Sequence, residues 1–560
     1  MIRRSFPYSI PIASPLNGVS MSIFLSSLSP RKRAFLSGTL LLTAAGFSCR
    51  ILGFFYRIFL SRTIGAEGLG IYNMVHPVYG ICFALCAGSI QTALSQYIAS
   101  NEKKGKSVFH TGFLLSLSLS LLFAFLICRH ANWIACHVLM ERSCAPYLPM
   151  MGLSVPFASA HACINGYYYG MQKARVPAFS QIAEQILRMI FVFALASFWT
   201  SQGIILTVHL AVLGHVAGEV ASALFTLLCL LICPPSTKSA SKSSSKSGTQ
   251  SDLQSPLPSQ PNEATDSFSA CALPLIALAL PLMGNRLVLN VLASAEAVWI
   301  PACLKLSGLS ASEAFSVYGV LTGMALPFIL FPSAITNSMA VLLLPSVARA
   351  QAEGRNDLID TTVSMSLRYS LYMGIFCIGV FVLFGNSLGM SVFHSQDAGT
   401  CIQILAWLCP FLYLATTIGS ILNGLGKTHI TFFQSSLILT LRLIFVLVGI
   451  PRFGIYAYLC GMLACELLLA FLHLHALHRI VPFHWNAVSM IVKPVFVLFL
   501  CVGIHRFVSY SLPALLSHFL RQTAITRKIP LFFATTLQIF GFSICYGGLL
   551  LLFHLVEKRE

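Results

Sequence analysis

Acidic side chains are scarce in this chain: 17 Asp and Glu stand against 35 Lys and Arg in 560 residues, for a formal net charge of +18. So few carboxylates leave little material for a cation-binding cavity or for acid–base catalysis. Charged residues of both signs make up only 9% of the sequence and hydrophobic ones 56%, which excludes a soluble globular protein of this length. The ten-residue alternation of an outer-membrane barrel is missing as well. None of the 18 cysteines forms a C-x-x-C pair, so neither a zinc site nor a disulfide framework is indicated. The histidines of "HLHALHRIVPFH", His473 to His484, do not share one helical face. No metal, other cofactor or catalytic residue is called for.

What the chain has instead is a succession of about fourteen apolar runs of helical length, the first near 35–61 and the last near 531–555. The expected fold is an all-α polytopic membrane protein. Its basic residues fall mostly in short loops between the runs, where they orient the protein in a lipid bilayer and do not mark a nucleic-acid partner. Both termini are placed on the cytoplasmic side. Residues 1–33, with no cleavable signal, read as a disordered cytoplasmic extension.

The stretch 234–267, rich in Ser, Pro and Lys, reads as a flexible cytoplasmic linker. It divides the first twelve helices into two lobes of six, 34–233 and 268–480, and leaves 481–560 for two further helices and a short tail. An internal repeat supports that division. "GMQKARVPAFSQIAEQILRMIF" (Gly170 to Phe191) aligns without gaps on "GLGKTHITFFQSSLILTLRLIF" (Gly424 to Phe445), matching Arg188 with Arg442. "GHVAGE" (Gly214 to Glu219) echoes "GMLACE" (Gly461 to Glu466) on the following helices. An even number of helices per copy keeps the copies parallel, related by a pseudo-two-fold axis along the membrane normal.

Charge inside the apolar runs is costly and marks function or pairing. Arg50 and Arg57 lie on one face of the first run in "CRILGFFYR" (Cys49 to Arg57), with no acid on that helix to neutralise them. Arg286 follows Pro281 and Asn285, where a proline-loosened backbone is expected to line a cavity; the run holding Pro327 and Pro332 looks similarly broken. These three arginines are the candidate ligand residues, because a guanidinium fork binds phosphate through two parallel hydrogen bonds. Arg188 with Glu219, and Arg442 with Glu466, are expected to form repeated structural or gating ion pairs, and Glu184 lies four residues before Arg188. The glycines of "SRTIGAEGLGIYNMVHPVYG" (Ser61 to Gly80) suit a tight reversal.

Two stretches carry a family resemblance: "RILGFFYRIFLSRTIGAEGLGIYNMVHPVYG" (Arg50 to Gly80) and "YGVLTGMALPFILFPSAITNSMAVLLLPSVARAQAEGR" (Tyr318 to Arg355). They resemble the multidrug/oligosaccharidyl-lipid/polysaccharide exporter superfamily, in particular its stage V sporulation protein B and polysaccharide biosynthesis branch, with lipid II flippases as more distant relatives. The resemblance implies alternating access in a bacterial cytoplasmic membrane. It also implies a lipid-linked anionic saccharide as cargo, such as a polyprenyl-pyrophosphate-linked cell-wall or polysaccharide precursor, with cell-wall synthases as further candidate partners. "RILGF" is similar to the flippases' first-helix motif, but Arg57 comes one residue later than their pattern. Rival readings are a cation-coupled drug antiporter, which needs cavity carboxylates, and a membrane glycosyltransferase or polymerase, which needs acids at the outer face. The loop 506–530 has no Asp or Glu.

Overall fold

The computed structural model describes residues 30–101, 104–235, 268–336, 354–481, 483, 485–519, 531–553 and 555. The expected extension 1–33 and linker 234–267 lie for the most part outside these residues, as does 520–530.

The described chain is helical from end to end. The first half comprises α1 (Pro30–Phe83), α2 (Ser89–Ser100), α3 (Gly105–Arg129), α4 (Leu148–Gly170), α5 (Arg175–Ser201) and α6 (Val208–Ile232). The second half begins with α7 (Phe268–Leu306), α8 (Ala311–Gly319), α9 (Asn356–Leu388) and α10 (Gln396–Leu405). It continues with α11 (Cys409–Gly424), α12 (Thr428–Ile444) and α13 (Ile455–Ile480), before α14 (Lys493–Phe519) and α15 (Leu531–Leu552).

Twelve stretches among the described residues are long and apolar enough to cross a membrane, set against the expected fourteen or so. One of the twelve, Leu40–Ser100, contains a reversal; α4, at 23 residues, is not one of them. Ser154, Ser159 and Asn165 make α4 more polar, and it is buried among α3 and α6, away from lipid. Large apolar side chains instead cover the perimeter: Phe533, Leu537, Phe540 and Ile544 form an exposed stripe at helical spacing on α15. Such a surface suits lipid and not water. The chain is a multi-pass membrane protein.

The reversal falls where the glycines predict it. α1 is two helical arms joined at Gly65, whose φ of 73° and ψ of −178° favour glycine. Arg57 on the first arm and Asn73 on the second both hydrogen-bond Thr322, although a straight helix would hold them about 24 Å apart. The chain therefore folds back at Gly65.

The apolar core is continuous at one face and divided at the other. We call the end where α6 stops and α7 starts the linker face. At the opposite face a single cluster joins Leu60, Met74, Leu148 and Val212 of the first half to Leu304, Phe315, Phe384 and Val392 of the second. At the linker face there are two clusters: one built on Ile90, Leu94, Phe109 and Tyr168, the other on Ile359, Leu367, Ile418 and Leu477. Among the described residues the halves thus share one core at one face and, apart from the start of α7, have separate cores at the other.

Backbone contact makes the seal tight. A Cβ at Gly319 would land on the carbonyl oxygen of Ala66, and one at Gly70 on that of Phe315. Helix α7 connects the halves: its first turns place Leu275 and Ala279 in the first-half cluster, while its later part packs on α12. It runs through Pro274, Pro281 and Pro301 as one 39-residue helix, so the loosening expected near Pro281 does not occur. Close neighbours stabilise the interrupted hydrogen-bond ladder. The other expected break is present, with a π-helical segment at Val320–Ala325 and a turn at Phe331 and Pro332.

Candidate functional site

A cavity of about 630 Å3 lies where the separate cores of the two halves meet the shared one. Both arms of α1 line it, with Arg57 and Leu60 facing Tyr72, Asn73 and His76. Helix α5 adds Glu184, Gln185 and Arg188, α6 adds His215 and Glu219, and α7 adds Asn290 and Ser294. The size suits a bound organic ligand, since such sites run from roughly 300 to 1,000 Å3.

Each charge in the cavity has a different status. Arg188 Nη2 donates to Glu184 Oε1 at 2.5 Å, one turn earlier on α5, and its Nη1 to Gln185 Oε1 at 3.3 Å. Glu219 accepts from Tyr79 Oη at 2.8 Å, and His161 Nε2 lies 2.8 Å from its other oxygen. Arg57 has no carboxylate within ion-pair distance among the described residues; Nη1 donates to the Thr322 carbonyl at 3.3 Å. The residue itself is part of the cavity lining. Tyr56 Oη and His215 Nε2, also in the lining, are buried without hydrogen-bond partners among the described residues.

Polar ties between the halves reinforce the seal. Lys305 Nζ donates to Glu141 Oε2 at 2.9 Å, Ser312 Oγ to Glu67 Oε2 at 2.7 Å, and Arg62 to the carbonyls of Val392 and Ser391 at 2.7 and 2.9 Å. Burial pushes the Glu141 carboxyl upward, but hydrogen bonds from Lys305 and Ser143 outweigh it and hold the group below the ordinary carboxylate range.

Comparison with known proteins bears on what such a bundle is. Residues 35–305 match the family described as polysaccharide biosynthesis protein. The chain is 26% identical over 541 residues to stage V sporulation protein B of Bacillus subtilis (strain 168), covering 94% of this chain and 97% of that one. Lipid II flippase MurJ, in an inward closed conformation, aligns with a TM-score of 0.62 at 15% identity, covering 92% of this chain and 99% of its own. An inward-facing multidrug resistance MATE family transporter gives 0.57 at 14% identity, covering 78% and 94%. At these identities the two structures show a shared fold, and that fold is the one the resemblance to the exporter superfamily implies. The resemblance to its stage V sporulation protein B branch stands, and the family and relatives together support a membrane exporter.

Within this fold the arginines predicted from sequence separate. Arg57, which is solvent-accessible, lines the cavity; Arg50, also exposed but two turns nearer the linker face, does not. Arg286 is exposed on α7 and donates to Thr92 Oγ1 at 3.0 Å, lying over Gly88 of the first half. An apolar groove of about 620 Å3 runs beside the start of α15, lined by Phe55, Ile58, Met390 and Phe532.

Of the two expected pairs, Arg188 with Glu219 needs correction, while Arg442 with Glu466 is present but shared with a nearer carboxylate. Arg188 and Glu219 share the cavity but form no ion pair; Glu184 holds Arg188, and Tyr79 with His161 holds Glu219. Arg442 Nη1 does approach Glu466, but at 3.8 Å, while its Nη2 lies 2.7 Å from Glu296 on α7. Ile438 of the second repeat stands where the first has Glu184, so Arg442 finds its near carboxylate on another helix. Sequence reasoning passed over His76, His161 and His215, three histidines inside apolar runs. Their depth was the available signal, because a buried imidazole needs a polar partner.

Proposed function

We propose that the chain is a flippase or exporter that takes a polyprenyl-pyrophosphate-linked saccharide from the leaflet at the linker face and presents it at the opposite face by alternating access. The observation that carries this reading is Arg57: a guanidinium in a cavity of cargo size, without a carboxylate partner among the described residues, in a bundle whose halves share a core at one face and have separate cores at the other. Charge at this depth is costly unless compensated, and an anionic cargo compensates it. The pyrophosphate sits against Arg57, the saccharide fills the polar cavity, and the lipid tail remains in an apolar groove beside the last helices. Arg50 and Arg286, exposed toward the linker face, attract the anionic head group on entry. No covalent step is required.

The basic bias of the loops supports a cytoplasmic linker face and cytoplasmic termini. A cation-coupled drug antiporter would use Glu184 and Glu219. Both already hold charged or strongly hydrogen-bonding partners, whereas Arg57, bonded to the Thr322 carbonyl, has no carboxylate partner among the described residues. Reconstituted transport tests the reading. In proteoliposomes with matched protein amounts, Arg57→Ala should lose at least about tenfold in transfer of the labelled cargo, equivalent to about 1.4 kcal/mol or more. Arg57→Lys should keep part of it. Undiminished transfer by a folded Arg57→Ala protein would contradict it.

A further inference from the structure

The second half contains a buried charge cluster that its own residues do not balance. Glu296 (α7) and Glu466 (α13) are 5% and 7% exposed, and among the described residues the one cation paired with them is Arg442 of α12. Two carboxylates and one guanidinium leave one negative charge. Tyr458 is the remaining close polar group: its hydroxyl receives a bond from Arg442 Nη2 at 2.9 Å and donates to Glu296 Oε1 at 2.6 Å. Glu296 is therefore well served. Glu466 accepts no hydrogen bond among the described residues, and its nearest charge is the Arg442 nitrogen at 3.8 Å. The other titratable groups nearby, Cys465 beside it and Tyr318 of α8, are a thiol and a phenol, which supply no positive charge in either protonation state.

An ionised carboxylate left this way in a nonpolar interior costs several kcal/mol. Something with one positive charge must join it. A metal ion would need several oxygen ligands around it, but the guanidinium already stands between the two carboxylates. No group of three His, Cys, Asp or Glu side chains among the described residues is arranged to hold a metal. A proton needs only the carboxylate oxygen.

We propose that Glu466 is a proton-binding site and that Arg442 moves between Glu296 and Glu466 according to whether that proton is present, which couples transport to proton movement. This rests on the exporter reading above. With Glu466 carrying a proton taken from water, the guanidinium belongs to Glu296, and α7 is tied to α12 and α13, as observed. When Glu466 returns the proton to water, its carboxylate draws Arg442 across the 3.8 Å gap and weakens the tie to α7. Helix α7 also reaches into the first half through Leu275, Ala279 and the Arg286–Thr92 bond. The tie therefore acts on the element that spans both halves, and the proton biases one arrangement over the other.

Two measurements test the coupling, one of them independent of cargo. Infrared difference spectra of the purified full-length protein, taken as pH is stepped, should show a protonated-carboxyl band that Glu466→Gln removes. If that variant does not fold, Glu466→Asp should keep the band and shift its pH dependence. In proteoliposomes, an imposed pH gradient should accelerate wild-type cargo transfer by about tenfold, within the range of ordinary coupling. Glu466→Gln should retain gradient-free exchange and lose the acceleration, and a sodium gradient should have no effect. An unchanged band in Glu466→Gln, a retained response to the pH gradient, or a wild-type protein driven by sodium alone would overturn the proposal. If the wild type moves no cargo at all, the exporter reading fails while the infrared result still decides the proton site.

Discussion

Gly319→Ala should open the sealed face without unfolding the protein. Gly319 in the second half meets the Ala66 carbonyl of the first, and Gly70 returns the contact against Phe315. A Cβ at 319 would lie well inside 3.0 Å of backbone atoms, a distance that real Cβ atoms essentially never show. No flexible side chain can swing aside, so the two helices must separate by on the order of 1 Å, at an overpacking cost of about 1–3 kcal/mol. The contact joins the halves only while this face is closed, so the cost falls on that arrangement alone. The ratio of closed to open molecules should then drop by about 5- to 150-fold. Spin labels at Arg142 and Leu306, exposed neighbours of the Glu141–Lys305 tie, report the separation by pulsed EPR. The long-distance population should grow in Gly319→Ala and stay unchanged in Gly547→Ala, where nothing lies within 4 Å of the added methyl. A wild-type distance distribution in Gly319→Ala, or a loss of thermal stability with no population shift, would refute the reasoning.

The buried network should respond to charge exchange according to its distances. Arg442→Glu alone should cost about 3–5 kcal/mol, and adding Glu296→Arg should recover more folded protein than adding Glu466→Arg, measured by thermal unfolding at matched expression. The Glu141–Lys305 tie should depend on pH in one direction: because the carboxyl is held below its ordinary value, its contribution is complete at neutral pH and is lost as pH falls through the folded-state value. The same spin-label pair should therefore lengthen on acidification, and Lys305→Met should abolish that response.

Much of the arrangement was legible because membrane burial makes charge and glycine conspicuous. Arg57 stands out as a cation in an apolar run, and the reversal at Gly65 follows from the glycines around it. The repeat pointed to Arg442 and Glu466, which do approach at 3.8 Å, but it gave no sign of Glu296 as the nearer partner and mispaired Arg188 with Glu219, since repeats keep positions while partners drift. Glu184 has Ile438 as its counterpart, and Glu296 has no repeated acid to announce it. The division of the core into one shared and two separate clusters depends on how α7 crosses between the halves, which hydropathy along the chain does not encode. The histidines around Glu219 were passed over for a related reason: three positions far apart in sequence converge only when α1, α4 and α6 pack together.

The most direct measurement of the central claim compares two lipid-linked saccharides in proteoliposomes, identical except that one carries a pyrophosphate and the other a neutral linkage. The wild-type protein should transfer the pyrophosphate form and discriminate against the neutral one, and Arg57→Ala should lose most of that discrimination. Equal transfer of both forms, or discrimination untouched in a folded Arg57→Ala protein, would contradict an anion-binding cavity built on Arg57.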